Sequence, residues 1–184
     1  MIKLVAVAGS LRQDSFNRKA LQNALSFVEG EDIEIQKLDL ETLDLPVFNE
    51  DLETKVPESV RELQRTIAKA DLILIATPEY NRSVPGGLKN AIDWVSRTGS
   101  VPLTDKVVVL LGASTGGFGT VRAQIHLRQI LMALGAFIIP QPEIHISYAA
   151  EAFNEDGSLK DEALKEKLKS LIQAGVNLVR KLRA

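Results

Sequence analysis

The sequence predicts a doubly wound α/β sandwich, a parallel sheet with helices on both faces. Two observations carry this. Three short runs, Leu4-Val5-Ala6-Val7-Ala8, Leu72-Ile73-Leu74-Ile75-Ala76 and Val107-Val108-Val109-Leu110-Leu111, are apolar at every position, as strands buried on both faces are. Between them lie segments whose apolar residues recur at helical spacing. The resulting βαβαβαβαβα order is that of a three-layer α/β fold.

In chain order, the first run ends at Gly9, and Leu21, Ala24, Leu25 and Val28 form the stripe of a first helix. Ile33-Glu34-Ile35-Gln36 alternates and predicts a short second strand. Val60, Leu63 and Ile67 mark the second helix, and the next apolar run stops before Pro78. Leu88, Ile92 and Val95 mark the third helix, and the third run ends at Gly112. Leu127, Ile130, Leu131 and Leu134 mark the fourth. Residues 137–146 contain a fifth strand broken by Pro140 and Pro142. Leu164, Leu168, Leu171, Ile172, Val179 and Leu182 belong to a long closing helix whose charges form its solvated side. Right-handed crossovers leave few topologies, and the flavodoxin-like order 2-1-3-4-5 is the most economical for a five-stranded parallel sheet. With no internal repeat or linker, residues 1–184 are expected to form one domain. The connection over residues 38–52 is long for this fold and predicts a pocket wall or an interface.

Composition narrows the function. The 184 residues are 45% hydrophobic and 25% charged, with a net charge of −2 and both signs dispersed. No basic block is available to follow a nucleic-acid backbone, so nucleic acid is not an expected partner. Nor is a membrane, because no apolar run approaches the roughly 20 residues of a spanning helix. The start of the chain carries no basic-then-apolar leader, and the expected location is cytoplasmic. There is no cysteine, which removes thiolate chemistry. Two histidines, His126 and His145, supply too few parts for a zinc site or a Ser-His-Asp hydrolase. No metal site is expected. His126 reads as a surface or interface residue, and His145, flanked by Ile144 and Ile146, as an ordinary strand residue.

In open parallel sheets, ligands bind outside the carboxyl ends of the strands where the strand order reverses. For this order the loops after the first, third and fourth strands meet there, and all three have unusual compositions. The first, residues 9–18, enters a helix and carries Ser10, Arg12, Ser15 and Asn17. Free N–H groups and a helix N-terminus attract phosphate, and arginine grips it bidentately. Ser15 or Asn17 is also a natural helix cap, but capping accounts for one residue of the four. The loop lacks Gly-x-Gly-x-x-Gly and fits the single terminal phosphate of a mononucleotide such as FMN. The second loop, residues 77–87, is stiffened by Pro78 and Pro85 and presents Tyr80, which suits a flat heteroaromatic ligand. The third, residues 112–119, is glycine-rich, so its backbone can approach a ligand closely.

These motifs have a known counterpart. Gly9-Ser10-Leu11-Arg12-x-x-Ser15-x-Asn17, Pro78-Glu79-Tyr80-Asn81-x-Ser83-x-Pro85-Gly86-x-Leu88-Lys89-Asn90-Ala91-Ile92-Asp93-Trp94 and Gly112-Ala113-Ser114-x-Gly116-Gly117 resemble the NADPH-dependent FMN reductase family, which includes chromate, quinone and azo-dye reductases. The resemblance covers nearly the whole chain. The Thr-x-Thr-Gly-x-Thr pattern of a dedicated flavodoxin is absent. The resemblance implies that Ser10, Arg12, Ser15, Phe16 and Asn17 surround the FMN phosphate. It places Pro78, Glu79, Tyr80 and Asn81 at the isoalloxazine border with Ser83 nearby, and Ser114 and Gly116 across the site. It also implies a homodimer or homotetramer with residues 88–94 in the contact. Trp94, off the apolar stripe of its helix, then has either a partner subunit or a neighbouring loop to cover it.

The expected chemistry is that of an NAD(P)H-dependent FMN-containing reductase. The flavin does the hard step and the protein supplies binding and orientation. NADPH or NADH delivers hydride to FMN, and a small acceptor (quinone, flavin, chromate, azo or nitro compound) takes the electrons from the same face in a ping-pong cycle. No catalytic acid or base is assigned, and Glu79 reads as a rim carboxylate used through its backbone. Two rivals are an FMN-carrying electron-transfer module serving protein partners, and a flavin-free hydrolase or regulatory domain on the same fold.

Overall fold

A computed structural model describes residues 1–28, 32–97 and 101–184. Its strands are β1 (Ile2–Ala8), β2 (Ile33–Leu38), β3 (Leu72–Ala76), β4 (Val107–Ala113), β5 (Phe137–Ile138) and β6 (Ile144–Ile146). The helices are α1 (Phe16–Ser26), α2 (Glu58–Lys69), α3 (Gly86–Val95), α4 (Val121–Ala133), the single turn α5 (Ala149–Ala152) and α6 (Glu162–Arg183), with a 3-10 turn at Glu50–Lys55. The strand order is β2-β1-β3-β4-β5, parallel throughout, with β6 also paired to β4. This is the flavodoxin-like order expected from the sequence.

The fifth strand comes in two pieces. β5 pairs with the start of β4 and β6 with its end, and between them the chain detours through Pro140 and a cis Gln141–Pro142 bond. Proline has no N–H for the ladder, so the strand cannot run through both prolines and resumes further along β4.

Alternation along the strands divides the interior in two. Leu4, Ala6, Leu72, Leu74, Val107 and Val109 face α1 and α6. Val5, Val7, Ile73, Ile75, Val108 and Leu110 face α2, α3 and α4. Successive side chains of a strand point to opposite faces, so a run apolar at every position fills both layers. Each fully buried Leu, Ile or Val contributes on the order of 1.5–3 kcal/mol. Edge strand β2 is only partly covered: Ile33 and Ile35 pack against the first layer while Glu34 and Gln36 stay exposed, and Leu38 at its end is buried in the second. The helix stripes face the core as expected, with Ile130, Leu134 and Leu164 half-buried and Leu182 at the end of α6 52% exposed.

The connection after β2 decides between the two covers left open for Trp94. Trp94 is 0% exposed within the monomer, and residues 46–48 cover it. Its Nε1–H donates to the Pro46 carbonyl at 2.8 Å, and Phe48 meets it edge to face with centroids 5.0 Å apart. Asn90 completes the seam, donating to the Pro46 carbonyl at 2.9 Å and accepting from the Phe48 N–H at 2.7 Å. The long connection is therefore packed onto α3, and the loop, not a partner subunit, covers Trp94.

Candidate functional site

The three loops meet at one rim. Hydrogen bonds carry the ladder past the ends of the strands, from the Gly9 N–H to the Ala76 carbonyl at 2.8 Å and from the Thr77 N–H to the Leu111 carbonyl at 2.9 Å. Each pair of loops is then joined by a specific contact. A Cβ on Gly9 would lie 2.9 Å from Leu88 Cδ2 and 3.4 Å from Pro78 Cδ, so glycine is what lets the first and second loops close. Ser10 Oγ lies 3.5 Å from Tyr80 Oη across the same junction. The first and third loops are bound by Asn17, whose Nδ2 donates to the Ala113 carbonyl and whose Oδ1 accepts from the Ala113 N–H, both at 2.9 Å. The second and third loops touch at Gly112, which packs against the Thr77 carbonyl and Thr120.

In the first loop, Ser10, Ser15 and Asn17 are each 3% exposed. Ser15 is the N-cap of α1, its Oγ accepting from the Asn17 N–H at 3.1 Å. That bond uses a lone pair and leaves the hydroxyl proton able to donate to a ligand. Among the described residues, the main-chain N–H groups from Ser10 to Phe16 have no hydrogen-bond acceptor. A run of unpaired donors beside a helix N-terminus is an anion cradle. Arg12 is exposed, with its guanidinium 5.5 Å from the Phe16 ring centroid. Phe16 is stacked on Phe153 at 6.0 Å and has Lys19 Nζ over it at 5.4 Å. Lys19 also binds Asp14 at 2.8 Å and holds that carboxyl below its ordinary pKa. Beside the rim, Arg18 forks onto Asp39 at 2.9 and 3.0 Å, lowering the Asp39 pKa in the same way.

The second loop is a tight hairpin. Tyr80 and Ser83 exchange main-chain hydrogen bonds at 3.1 and 3.0 Å around Asn81 (φ 49°) and Arg82 (φ 66°). Positive φ at both central residues is the type I′ pattern, which asparagine tolerates and arginine does not favour. Arg82→Gly should therefore raise stability by about 0.5–1 kcal/mol, the relieved left-handed strain less the extra freedom of an unfolded glycine. The urea midpoint measures it, and a lower midpoint refutes it. Pro78 is buried, whereas the Tyr80 ring and Asn81 are exposed at the rim. Ser83 Oγ lies 3.0 Å from His126 Nδ1, so His126 braces the hairpin from α4.

Glu79 corrects a sequence expectation. Its carboxylate is not a rim group; the side chain is 10% exposed and turned onto the start of α4. It accepts from the N–H groups of Arg122 and Ala123 at 2.9 and 3.2 Å, and from Arg122 Nη1 at 3.3 Å. A carboxylate on first-turn N–H groups is stabilised by the helix dipole and caps them. Glu79 thus fixes the second loop to the helix that follows the third. Glu79→Ala should destabilise the protein by about 1–3 kcal/mol, while Glu79→Gln, which keeps one acceptor, loses less. Thermal melts of both variants test the order.

The third loop turns at Ser114, whose Oγ accepts from the Gly116 N–H at 3.2 Å. It brings a fourth segment to the rim that the sequence reading missed, the one after β6. Ser114 N–H donates to the Ile146 carbonyl at 2.9 Å, Ala149 N–H to the Ser114 carbonyl at 3.0 Å, and Tyr148 N–H to the Gly116 carbonyl at 3.3 Å. Ser147 Oγ donates to the Gly117 carbonyl at 2.9 Å. Phe118 in this loop and Tyr148 beside it stand exposed, with Arg122 4.4 Å from the Phe118 ring centroid. No local motif marks Tyr148, because its place depends on the register of β6 against β4.

Buried hydroxyls, unpaired N–H groups and one arginine fit a phosphate monoester, and the stiff hairpin facing the glycine-rich loop fits a planar ring. Fold and site together define a mononucleotide-binding protein of the flavodoxin-like class. The family model described as NADPH-dependent FMN reductase matches residues 2–151, and the chain belongs to that family. It is 43% identical over 184 residues to an NAD(P)H-dependent FMN reductase of Pseudomonas aeruginosa, covering 99% of this chain and 97% of the relative. Identity to a 2-hydroxy-1,4-benzoquinone reductase of a Burkholderia species is 38% over 172 residues, covering 93% and 92%. Among solved structures, an NAD(P)H:(acceptor) oxidoreductase flavoenzyme of Paracoccus denitrificans superposes with a TM-score of 0.89 at 37% identity, over 98% of both chains. Among the described residues, no helix is long and apolar enough to cross a membrane.

Proposed function

We propose that the chain is an NAD(P)H-dependent FMN reductase that passes electrons from NADPH or NADH to a small acceptor, such as a quinone, in a ping-pong cycle. The observation that carries this reading is the closure of three separated loops on one rim, with the Ser10–Phe16 N–H groups lacking acceptors among the described residues beside two buried hydroxyls. Bound FMN supplies hydride acceptance and electron release. The protein's part is binding. The first-loop N–H groups, Ser10, Ser15 and Arg12 hold the phosphate, with Phe16 under the arginine. Asn17 fixes the rim from within. Pro78, Tyr80, Asn81 and Ser83, with Glu79 through its main chain only, border the ring on one side, Ser114 and Gly116 on the other. Main-chain N–H groups of the second and third loops would stabilise negative charge on the bound ring.

The whole chain acts as one FMN-binding unit, as a cytoplasmic homo-oligomer. Exposed Ile125 and Met132 on α4 are apolar surface suited to a subunit contact, which sedimentation measures directly. Anaerobic mixing of the holoprotein with each coenzyme tests the enzyme reading: bleaching of the flavin band supports it, and persistence of the oxidised spectrum leaves an electron-transfer module. A panel of quinones, flavins, chromate and azo compounds then ranks acceptors. Arg12→Ala should raise the FMN dissociation constant about ten-fold to a hundred-fold, the effect of one charge-assisted contact, and leave the melt of the apoprotein unchanged. Equal FMN affinity in parent and variant refutes the phosphate assignment.

A further inference from the structure

A second recess opens on the same rim. It lies between the end of β6, the α5 turn and the start of α6, and its volume is about 440 Å³. We propose that it takes the adenosine diphosphate half of the nicotinamide coenzyme, an inference that rests on the reductase reading.

Position is the first argument. The cleft shares the Ser147–Tyr148 segment with the third loop, which that segment binds through Gly116 and Gly117. A Cβ on Gly117 would lie 2.7 Å from Tyr148 Oη, so the tyrosine stands directly between loop and cleft. A coenzyme with its nicotinamide against a ring bordered by the third loop must extend its other half across the rim. The cleft adjoins that loop through the Ser147–Tyr148 segment.

Chemistry is the second. Lys160 and Lys167 line the cleft, and among the described residues neither ammonium has an ion-pair or hydrogen-bond partner. The carboxylate of Asp161 on the same wall is engaged with the N–H groups of Ala163 and Leu164 at 2.8 and 3.3 Å. Glu151 is the other carboxylate there, of a kind that accepts from ribose hydroxyls. Two uncommitted cations suit a pyrophosphate, and the Tyr148 ring, 60% exposed over an apolar floor containing Leu164, suits an adenine face.

Rigidity is the third. The Phe153–Leu159 bridge closes the segment leading into α6. Asn23 on α1 secures it, donating to the Gly157 carbonyl at 2.8 Å and accepting from the Leu159 N–H at 2.9 Å. The recess is thus formed before any ligand arrives, which lowers the ordering cost of binding.

The test is the double variant Lys160→Glu/Lys167→Glu, prepared as holoenzyme. The expected result is a KM for NADPH and NADH raised about ten-fold or more, with kcat, acceptor KM and FMN content unchanged. ADP should inhibit the parent competitively against the coenzyme, and this inhibition should be lost in the variant. Unchanged coenzyme KM overturns the assignment, and so does a parallel loss of FMN, which makes the cleft part of the flavin site. Calorimetry with ADP separates this inference from the reductase reading. Binding by the parent and not by the variant supports the cleft whether or not turnover is seen, and no ADP binding by the parent overturns it. Failure of both coenzymes to reduce a holoenzyme that binds ADP in the cleft counts against the reductase reading alone.

Discussion

Gly112→Ala is expected to destabilise the protein by about 3 kcal/mol and to abolish tight FMN binding, because overpacking a closed core costs roughly 1–3 kcal/mol and here the obstacle is main chain. Gly112 sits in β4 opposite His145 of β6, at the start of the third loop. A Cβ there would run into the Thr77 carbonyl oxygen and the Thr120 side chain. Thr120 is fully buried and hydrogen-bonded to Gln124 at 3.0 Å, so it has little freedom to swing away. Relief therefore has to come from movement of the second loop against the third, which opens the rim where the proposed planar ligand would sit. A chain of this size loses about 2–4 °C of Tm per kcal/mol, so the variant should melt about 6–12 °C below the parent. Adding Thr120→Ala removes one obstacle and leaves the carbonyl, so it should restore only part of the loss. A single variant that melts with the parent and retains FMN shows that the loops have room the structure does not contain.

Asn17→Leu should cost about 2–4 kcal/mol. The side chain is near the size of the original but deprives the N–H and C=O of Ala113 of partners, and each unsatisfied buried group costs about 1–3 kcal/mol. FMN affinity should fall with stability, since the same two bonds hold the first loop against the third. Asn17→Asp distinguishes the two bonds. A carboxylate accepts from the Ala113 N–H but faces the Ala113 carbonyl, which repels it. This raises the carboxyl pKa in the folded state. A group whose folded pKa is raised favours folding increasingly as pH falls through that pKa, so the aspartate variant should recover part of its deficit in mild acid, where the protonated carboxyl donates again. Thermal melts at neutral pH and near pH 5 measure this, and a deficit independent of pH refutes the bidentate account.

These effects concentrate where sequence reading stops. The five-strand order was legible because each strand announces its burial locally; β3 and β4 are apolar at every position and buried at every position. The three loops stood out because residue types suited to phosphate and planar-ring binding gather there in short stretches. The split of the last strand was legible too, since Pro140 and Pro142 forbid a continuous ladder wherever the strand lies.

What a side chain does with its polar atoms was another matter. Asn17 stands in a phosphate-loop pattern, yet its carboxamide serves a residue 96 positions away. Glu79 sits in a rim motif and caps a helix 43 positions on. Trp94, off its helix stripe, is covered by a carbonyl 48 positions earlier, and Tyr148 joins the rim only because β6 falls beside Gly112. Periodicity and composition report whether a residue is buried and what kind of ligand a turn can hold, because both depend on near neighbours. The partner of a hydrogen bond depends on the register of distant segments, and that is decided only when the layers pack. The sequence alone determined the sheet, its order and the three loops at its carboxyl edge; tertiary packing determined which polar side chains stay open at the rim and which hold it closed.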